Sequence, residues 1–349
     1  MATSKLALVG FGNVGRAFAR LILAKQDVLR SVYQVEGCVV AVFTARHGSV
    51  FNPSGINLSR ALSLSEAGAS LESLGEQAYG KTFGEALRES QAQLVLETTP
   101  LSPTTGEPAL SYLETALQLG LDAVTSNKGA VVFGFRRLTE LAQRRGRRFL
   151  FESTVLDGAP VFSLFRETLP ATQLLAFRGI LNSTTNFILT EMENGKSLEQ
   201  AVREAQERGI AEADPAADID GWDAAFKVSV LAKVLMGQDL LPSQVARRGI
   251  RDLSGDEVRR ARAEGRPYKL VCSAEVGPHG FRASVRPEQV PLSDPLASVA
   301  GTSSSLHLRM DTLAGLTVTE HDPSPATTAF GLLSDWLRTV NPTPSLARG

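Results

Sequence analysis

The sequence predicts an α/β protein with a Rossmann-type doubly wound parallel sheet and a second, α+β domain. Three observations point there. Short apolar runs alternate with helical periodicity over residues 1–150, the pattern of a parallel sheet with helices on both faces. A glycine-rich turn, Gly10-Phe11-Gly12-Asn13-Val14-Gly15, joins the first apolar run to the first amphipathic one. Beyond Phe151 the texture shifts to successive helical patterns and then to strand-like runs, as for a second sheet packed against helices.

The elements follow in order. Residues 5–9 are a short apolar strand, and 16–24 a helix with Ala17, Phe18, Leu21 and Ile22 on one face. Strands are expected at 35–43 and 94–97, the latter followed by the turn-rich Thr98-Thr99-Pro100. A helix over 107–119 is stopped by Gly120. A strand at 122–126, a helix at 136–144 and a strand at 148–151 complete the first half. The Ser-, Gly- and Leu-rich stretch 52–80 yields no assignment. Helices are then expected at 160–168, 184–194, 197–208 and 222–236. In the third, Leu198, Ala201, Val202 and Ala205 share a face, Ser197 with Gln200 makes a capping box, and Gly209 ends the helix. Strands follow at 268–275, 281–285, 305–310 and 316–320, and a closing helix at 326–339 returns to the first domain.

Composition narrows the function. Lys plus Arg total 36 against 37 for Asp plus Glu, so there is no electrostatic case for nucleic acid or an acidic membrane surface. Hydrophobic residues at 43% and charged residues at 21% supply a sizeable core and argue against disorder. Cys38 and Cys272 lie in apolar runs and read as buried thiols in a reducing compartment. His47, His279, His307 and His321 lack ligand spacing, so no zinc site is expected. No apolar run is long enough to span a membrane, and the one after Lys5 is too short for a signal peptide. A cytoplasmic protein is expected.

The glycine turn carries the first chemical signal. In Gly10-x-Gly12-x-x-Gly15 the missing side chains allow a tight turn, close approach of a pyrophosphate, and close helix–strand packing. The amino end of the following helix offers unpaired N–H groups and partial positive charge to the phosphates. Its place directly after an apolar strand makes the motif specific. The second strand ends Phe43-Thr44-Ala45-Arg46-His47-Gly48 with no carboxylate to take the ribose hydroxyls. Arg46 could meet a 2′-phosphate instead, which favours NADP, with NAD as the alternative and a plain surface arginine as the bland reading.

The second signal is the acid-rich run 209–227, which mixes Glu212, Asp214, Asp218, Asp220, Asp223 and Lys227 with apolar residues. Asp223 and Lys227 are four apart and share a helix face. Alone, that pair reads as a surface ion pair at a helix start. The carboxylates at 212, 214, 218 and 220 turn the reading toward a cation held among acids beside an apolar helix, a candidate proton donor.

With these motifs in hand, the chain resembles homoserine dehydrogenase over nearly its whole length. The resemblance rests on GFGNVGRAF, on Thr125-Ser126-Asn127-Lys128-Gly129, and on 151–160 (FESTVLDGAP), which is similar to the family's cation loop. It rests also on Gly179-Ile180-Leu181-Asn182-Ser183-Thr184-Thr185-Asn186 and on 209–227. It implies NAD(P)-linked interconversion of L-homoserine and L-aspartate 4-semialdehyde, in the route to threonine and methionine. Lys227 would be the proton donor and Lys128 its partner beside the nicotinamide. Glu212 and Asp223 would hold the substrate ammonium, and Ser183 and Thr184 would edge the carboxylate pocket. Main-chain oxygens of Glu152, Val155, Asp157 and Ala159 would hold sodium or potassium, and Thr98, Thr99 and Pro100 would line the nicotinamide side. Asp218, like Asp214 and Asp220, is as readily structural as catalytic. Carboxylates near Lys227 favour its charged form. That suits aldehyde reduction, whereas homoserine oxidation would call for alkaline pH or a water relay.

The implied domains are 1–150 for the dinucleotide, 151–315 for substrate, catalysis and dimerisation, and 316–349 returning to the first. A homodimer or dimer of dimers is expected. Three departures from the family pattern stand out: Ser183 in place of a glycine, Leu156-Asp157 in the cation loop, and 321–325 (HDPSP) where relatives carry a glycine-rich turn. The chain ends soon after Trp336, so feedback through an added regulatory domain is not expected. An aspartate-semialdehyde dehydrogenase would need a nucleophilic cysteine, and neither cysteine has a suitable setting. A silent nucleotide-binding sensor would not need both lysines.

Overall fold

A computed structural model describes residues 1–278 and 280–340. His279 and residues 341–349, the end of the expected C-terminal segment, lie outside the described residues. The chain divides into two compact units, one of Met1–Gly158 together with the segment from Ser324, the other of Ala159–Pro323.

The first unit is built on a seven-stranded sheet. Its strands are β1 (Ala2–Val9), β2 (Val35–Phe43), β3 (Val50–Phe51), β4 (Glu76–Gln77), β5 (Leu94–Glu97), β6 (Asp122–Thr125) and β7 (Phe149–Leu150), in the order β4-β3-β2-β1-β5-β6-β7. The β2-β1-β5-β6-β7 core is parallel. Leu6, Ala7, Leu8 and Val9 are buried on both faces, which is why β1 reads as one continuous apolar run. The chain leaves β1 for β2 on one side and continues through β5 on the other, so the carboxyl ends of β1 and β5 flank the switch point where such sheets bind ligands. The helices are α1 (Asn13–Ala24), α2 (Gln26–Ser31), α3 (Leu58–Glu66), α4 (Phe83–Glu89), α5 (Ala109–Gln118) and α6 (Lys128–Arg145). The unassigned stretch 52–80 holds α3, capped by the Asn57 side chain, and the edge strand β4.

Helix α6 begins at Lys128, not at 136. Its first turns are rich in glycine and valine, which disfavour an isolated helix. Packing overrides this: Gly129–Val132 and Gly134 are buried, and a Cβ at Gly134 would lie 2.1 Å from Leu110 Cδ2.

The second unit carries α7 (Ser183–Glu193), α8 (Leu198–Glu207), α9 (Ala216–Ile219), α10 (Trp222–Met236) and α11 (Gly255–Ala263). Its strands are β8 (Leu174–Ile180), β9 (Ala246–Arg247), β10 (Tyr268–Gly277), β11 (Gly280–Gln289), β12 (Ser304–Met310) and β13 (Leu316–Glu320), ordered β13-β12-β8-β10-β11-β9. The pairs are antiparallel except β11 with β9. Phe177, Ala274 and Leu308 are cross-strand neighbours and buried, whereas the next row, Arg178, Ser273, Ser284 and His307, faces an open groove. The expected helix at 160–168 is a short π-helical stretch, Leu164–Thr168.

Helix α12 (Pro325–Val340) belongs to the first unit. Its Trp336 is fully buried, stands edge-on to Phe18, and donates from Nε1 to Ser4 Oγ at 2.9 Å. The chain is free of any described helix long and apolar enough to cross a membrane.

Candidate active site

The glycine turn closes the switch point of the first sheet. Gly10 has φ +96°, a conformation that favours glycine, and a Cβ there would meet Thr98 at 2.7 Å. Thr98 ties the turn to the end of β5: its N–H donates to Val9 O at 2.7 Å and its hydroxyl to Gly10 O at 3.1 Å. Gly15 passes so close to Gly10 that a Cβ would lie 2.5 Å from the Gly10 carbonyl oxygen. Gly12 differs: among the described residues nothing lies within 4 Å of where its Cβ would be. Among the described residues no side chain caps α1, and Asn13 Oδ1 is engaged by Arg16 Nη2 at 2.9 Å. The open glycine and the uncapped helix end therefore fit a pyrophosphate. Phe11 is buried beneath the turn, and Val14 packs against the same core.

Arg46 is exposed in the turn after β2 and has no hydrogen-bond or ion-pair partner among the described residues. Thr44 fixes that turn, donating to Gly48 O at 2.9 Å and accepting from His47 N at 2.8 Å.

Beneath the loops after β5 and β6 lies Glu97, which sequence reasoning missed. It is fully buried. One carboxyl oxygen accepts from the Thr99 N–H at 2.6 Å and from the Thr99 hydroxyl, and the other from the Thr125 hydroxyl at 2.6 Å. Burial pushes its pKa up against the pull of these bonds. The network continues into Asn127, whose Nδ2 donates to Thr99 O at 3.1 Å and Pro100 O at 3.3 Å, and whose Oδ1 caps α6 through Gly129 N. Lys128 follows as the first residue of α6 and is half-buried. One signal was available, a lone acid ending an otherwise apolar strand.

The loop 152–158 is pinned by α12. Glu152 N donates to the buried Asp335 Oδ2 at 2.7 Å, and Ser153 Oγ to Thr328 O at 2.8 Å. Val155 is buried, and Asp157 takes φ +40°. Glu152, Val155 and Asp157 thus belong to the first unit, and Ala159 begins the second.

The second unit gathers the acid-rich run around α10. Lys227 Nζ donates to Leu181 O at 2.6 Å and lies 3.5 Å from Asp223 Oδ2, with side chains 15% and 20% exposed. The residue that draws the carboxylates together is Asn182, which sequence reasoning left without a role. Its Nδ2 donates to Asp218 Oδ1 at 2.7 Å and to Asp223 Oδ2 at 3.0 Å. Thr184 Oγ1 donates to Ile210 O at 3.2 Å and fastens α7 to the loop that carries Glu212. Ser183 opens α7, and Glu212 is exposed with no partner for its carboxylate among the described residues.

Asp214 and Asp220 turn away. Asp214 caps the Ala216 N–H, and Asp220 forms a two-bond pair with Arg251 at 2.7 and 3.0 Å, which holds its carboxyl below the usual range. Cys272 is buried, its thiol pushed up to about 12 by desolvation, and Cys38 is only half-buried, against expectation. Neither is a placed nucleophile.

A strand–glycine turn–helix at the switch point of the first unit, with a lysine and carboxylates gathered in the second, is the pattern of a dinucleotide-dependent oxidoreductase. Residues 160–337 match the homoserine dehydrogenase profile and 10–152 the homoserine dehydrogenase NAD-binding domain. The NAD(+)-dependent homoserine dehydrogenase of Pseudomonas canavaninivorans is 36% identical, covering 96% of both chains. The homoserine dehydrogenase of Methanocaldococcus jannaschii is 33% identical over 97% of this chain and 99% of its own. Among solved structures, a hyperthermophilic archaeal homoserine dehydrogenase in complex with NADPH gives a TM-score of 0.81 at 28% identity over 99% of each chain. The enzyme from Thiobacillus denitrificans gives 0.81 at 25%, over 99% of this chain and 76% of that one. The chain belongs to the homoserine dehydrogenase family of NAD(P)-dependent oxidoreductases.

Proposed function

We propose that this chain interconverts L-homoserine and L-aspartate 4-semialdehyde, with NADP preferred, and that Lys227 is its proton donor. The observation that carries the reading is the lysine itself: a largely buried amine anchored on a main-chain carbonyl and flanked by Asp223. The dinucleotide, when bound, supplies or accepts the hydride. In reduction Lys227 gives a proton from Nζ to the substrate's carbonyl oxygen. Lys128, at the first residue of α6, assists beside the nicotinamide-side residues Thr98, Thr99 and Pro100. Glu212 and Asp223 take the substrate ammonium, and Asp218 adds a second carboxylate there. Ser183 and Thr184, at the amino end of α7, take the substrate carboxylate, as a helix start favours.

The unpartnered Arg46 supports the NADP preference, since a guanidinium at the end of β2 matches a 2′-phosphate. The name of the Pseudomonas relative makes NAD the alternative. Main-chain oxygens of Glu152, Val155, Asp157 and Ala159 are the proposed seat of a sodium or potassium ion. The pinning of 152–158 by α12 supports a fixed loop there. The open face of the second sheet supports self-association as a homodimer, and we take the cytoplasm as the enzyme's compartment.

The test mixes purified protein with aspartate semialdehyde and either NADPH or NADH, and follows the absorbance of the reduced nicotinamide. Oxidation is expected with a lower KM for NADPH; none with either carrier sinks the reading. Arg46→Ala should raise the KM for NADPH about tenfold, the loss of roughly one charge-assisted hydrogen bond, and leave that for NADH alone. Equal effects on both would return Arg46 to the plain surface.

A further inference from the structure

We infer that Glu97 is a positioning residue for the dinucleotide: its carboxyl clamps the loop after β5 to the loop after β6 and so fixes the wall offered to the nicotinamide half. The inference rests on the proposed nicotinamide-side role of Thr98, Thr99 and Pro100.

Glu97 closes β5 between Val9 of β1 and Thr125 of β6. Leu94, Val95 and Leu96 before it are apolar and buried. One more apolar side chain would pack there without the desolvation that a carboxyl suffers. The strand ladder runs through main-chain groups and does not use the carboxyl. Its bonds come instead from Thr99 and Thr125, one in each loop wall.

These bonds belong to a closed ring. Thr125 Oγ1 donates to the carboxyl at 2.6 Å and accepts from Asn127 N at 2.9 Å. Asn127 Nδ2 reaches back to Thr99 O and Pro100 O, and Thr99 returns to the carboxyl through its N–H and hydroxyl. The Asn127 amide cannot turn over, because its Oδ1 accepts from Gly129 N, which only donates. Glu97, Thr125 and Asn127 are buried, Thr98 and Thr99 half-buried, and Pro100 exposed. A buried network thus sets the position of an open rim. The next residues of the same loop lie on the start of α6, where a Cβ at Gly129 would come within 2.9 Å of Leu101 Cδ1 and 3.2 Å of Ser102 O.

The glycine turn is held separately. Thr98 binds Val9 O and Gly10 O through its N–H and hydroxyl, and neither bond uses the carboxyl. Opening the ring therefore loosens the nicotinamide wall and spares the phosphate end. A wall that must be ordered on binding costs affinity.

The test pairs a disruptive with a conservative change at two links of the ring. Glu97→Ala opens it. Glu97→Gln keeps it, with the amide oxygen accepting from Thr99 and the NH2 donating to Thr125; burial already favours the uncharged form of this side chain. Thr125→Val removes a hydroxyl at nearly constant shape, and Thr125→Ser retains one. Calorimetric titration compares NADPH with 2′-phospho-ADP-ribose, the same carrier without its nicotinamide, on protein whose fold is confirmed by circular dichroism. NADH and ADP-ribose replace them if the wild type binds that pair better. Glu97→Ala and Thr125→Val should raise the Kd of the whole carrier about tenfold, as for one lost hydrogen bond. The truncated carrier should stay within about twofold, and Glu97→Gln and Thr125→Ser should bind both as the wild type does. Equal losses for whole and truncated carrier, no loss for either, or Glu97→Gln no better than Glu97→Ala overturns the inference. If Glu97→Ala does not fold, the Thr125 pair decides by the same comparison. A wild type that binds the carrier but turns over no aspartate semialdehyde would defeat the function reading alone, and the titrations would still decide the role of Glu97.

Discussion

Glu97 joins the Thr99 N–H, the Thr99 hydroxyl and the Thr125 hydroxyl at the end of β6 through one side chain with no exposed surface. Its raised pKa fixes the sign of a pH effect. A group whose folded pKa is raised contributes stability that is whole below its ordinary range, about 4.3 for glutamate, and is lost as pH rises through the folded value. Glu97→Gln copies the protonated form, accepting from Thr99 and donating to Thr125. Its unfolding midpoint, compared with wild type, should therefore gain as pH rises above the ordinary glutamate range. A difference independent of pH would show that Glu97 does not titrate there. Glu97→Ala should cost about 2–4 kcal/mol in denaturant melts, because it strands buried donors and leaves a cavity. Residues like Lys227 and Asp223 were legible in sequence because helix periodicity alone sets them on one face. Asn182 and Glu97 were not. Their partners come from distant segments, and an asparagine before a helix looks like an ordinary cap.

Legibility among the elements follows local consistency. Helix α8 appears with its capping box at Ser197 and Gln200 because side chain and backbone signals agree there. Strand β8 was missed. It has a glycine, Gly179, inside it, which weakens a strand signal. That glycine is required by the neighbouring strand, since a Cβ would lie 2.4 Å from Ser305 O. The start of α6 was missed for the same kind of reason, tertiary packing overriding weak helix formers. Gly331 in α12 yields a test. Glycine to alanine inside a helix usually stabilises by about 0.5–1 kcal/mol. At Gly331 the added carbon would meet Ser153 Oγ at 2.2 Å and Asp157 O at 2.5 Å. Overpacking of that kind costs about 1–3 kcal/mol, so Gly331→Ala should lower the denaturation midpoint. A raised midpoint would mean that the loop 152–158 yields freely to α12.

For the molecule as a whole, the alternation of strand and helix was enough to read the parallel sheet, and the change of texture after Phe151 enough to read a second α+β region. The sheet order of the second unit was beyond reach, because antiparallel pairing between distant strands leaves no local trace. Its open face makes the prediction at this scale. Light scattering should give twice the chain mass, and Ser273→Glu, which adds a charge in the middle of the Arg178–Ser273–Ser284 row, should give monomers. A monomeric wild type would remove self-association by this face. The return of α12 has a further consequence for how the protein is made. Trp336 closes over Ser4, Phe18 and Gly37, so the contacts that cover β1 from this side form only after residue 336 has been translated. All of Ala159–Pro323 leaves the ribosome first. The nascent first unit must wait, with apolar surface showing, for α12, which is a natural point for chaperone capture.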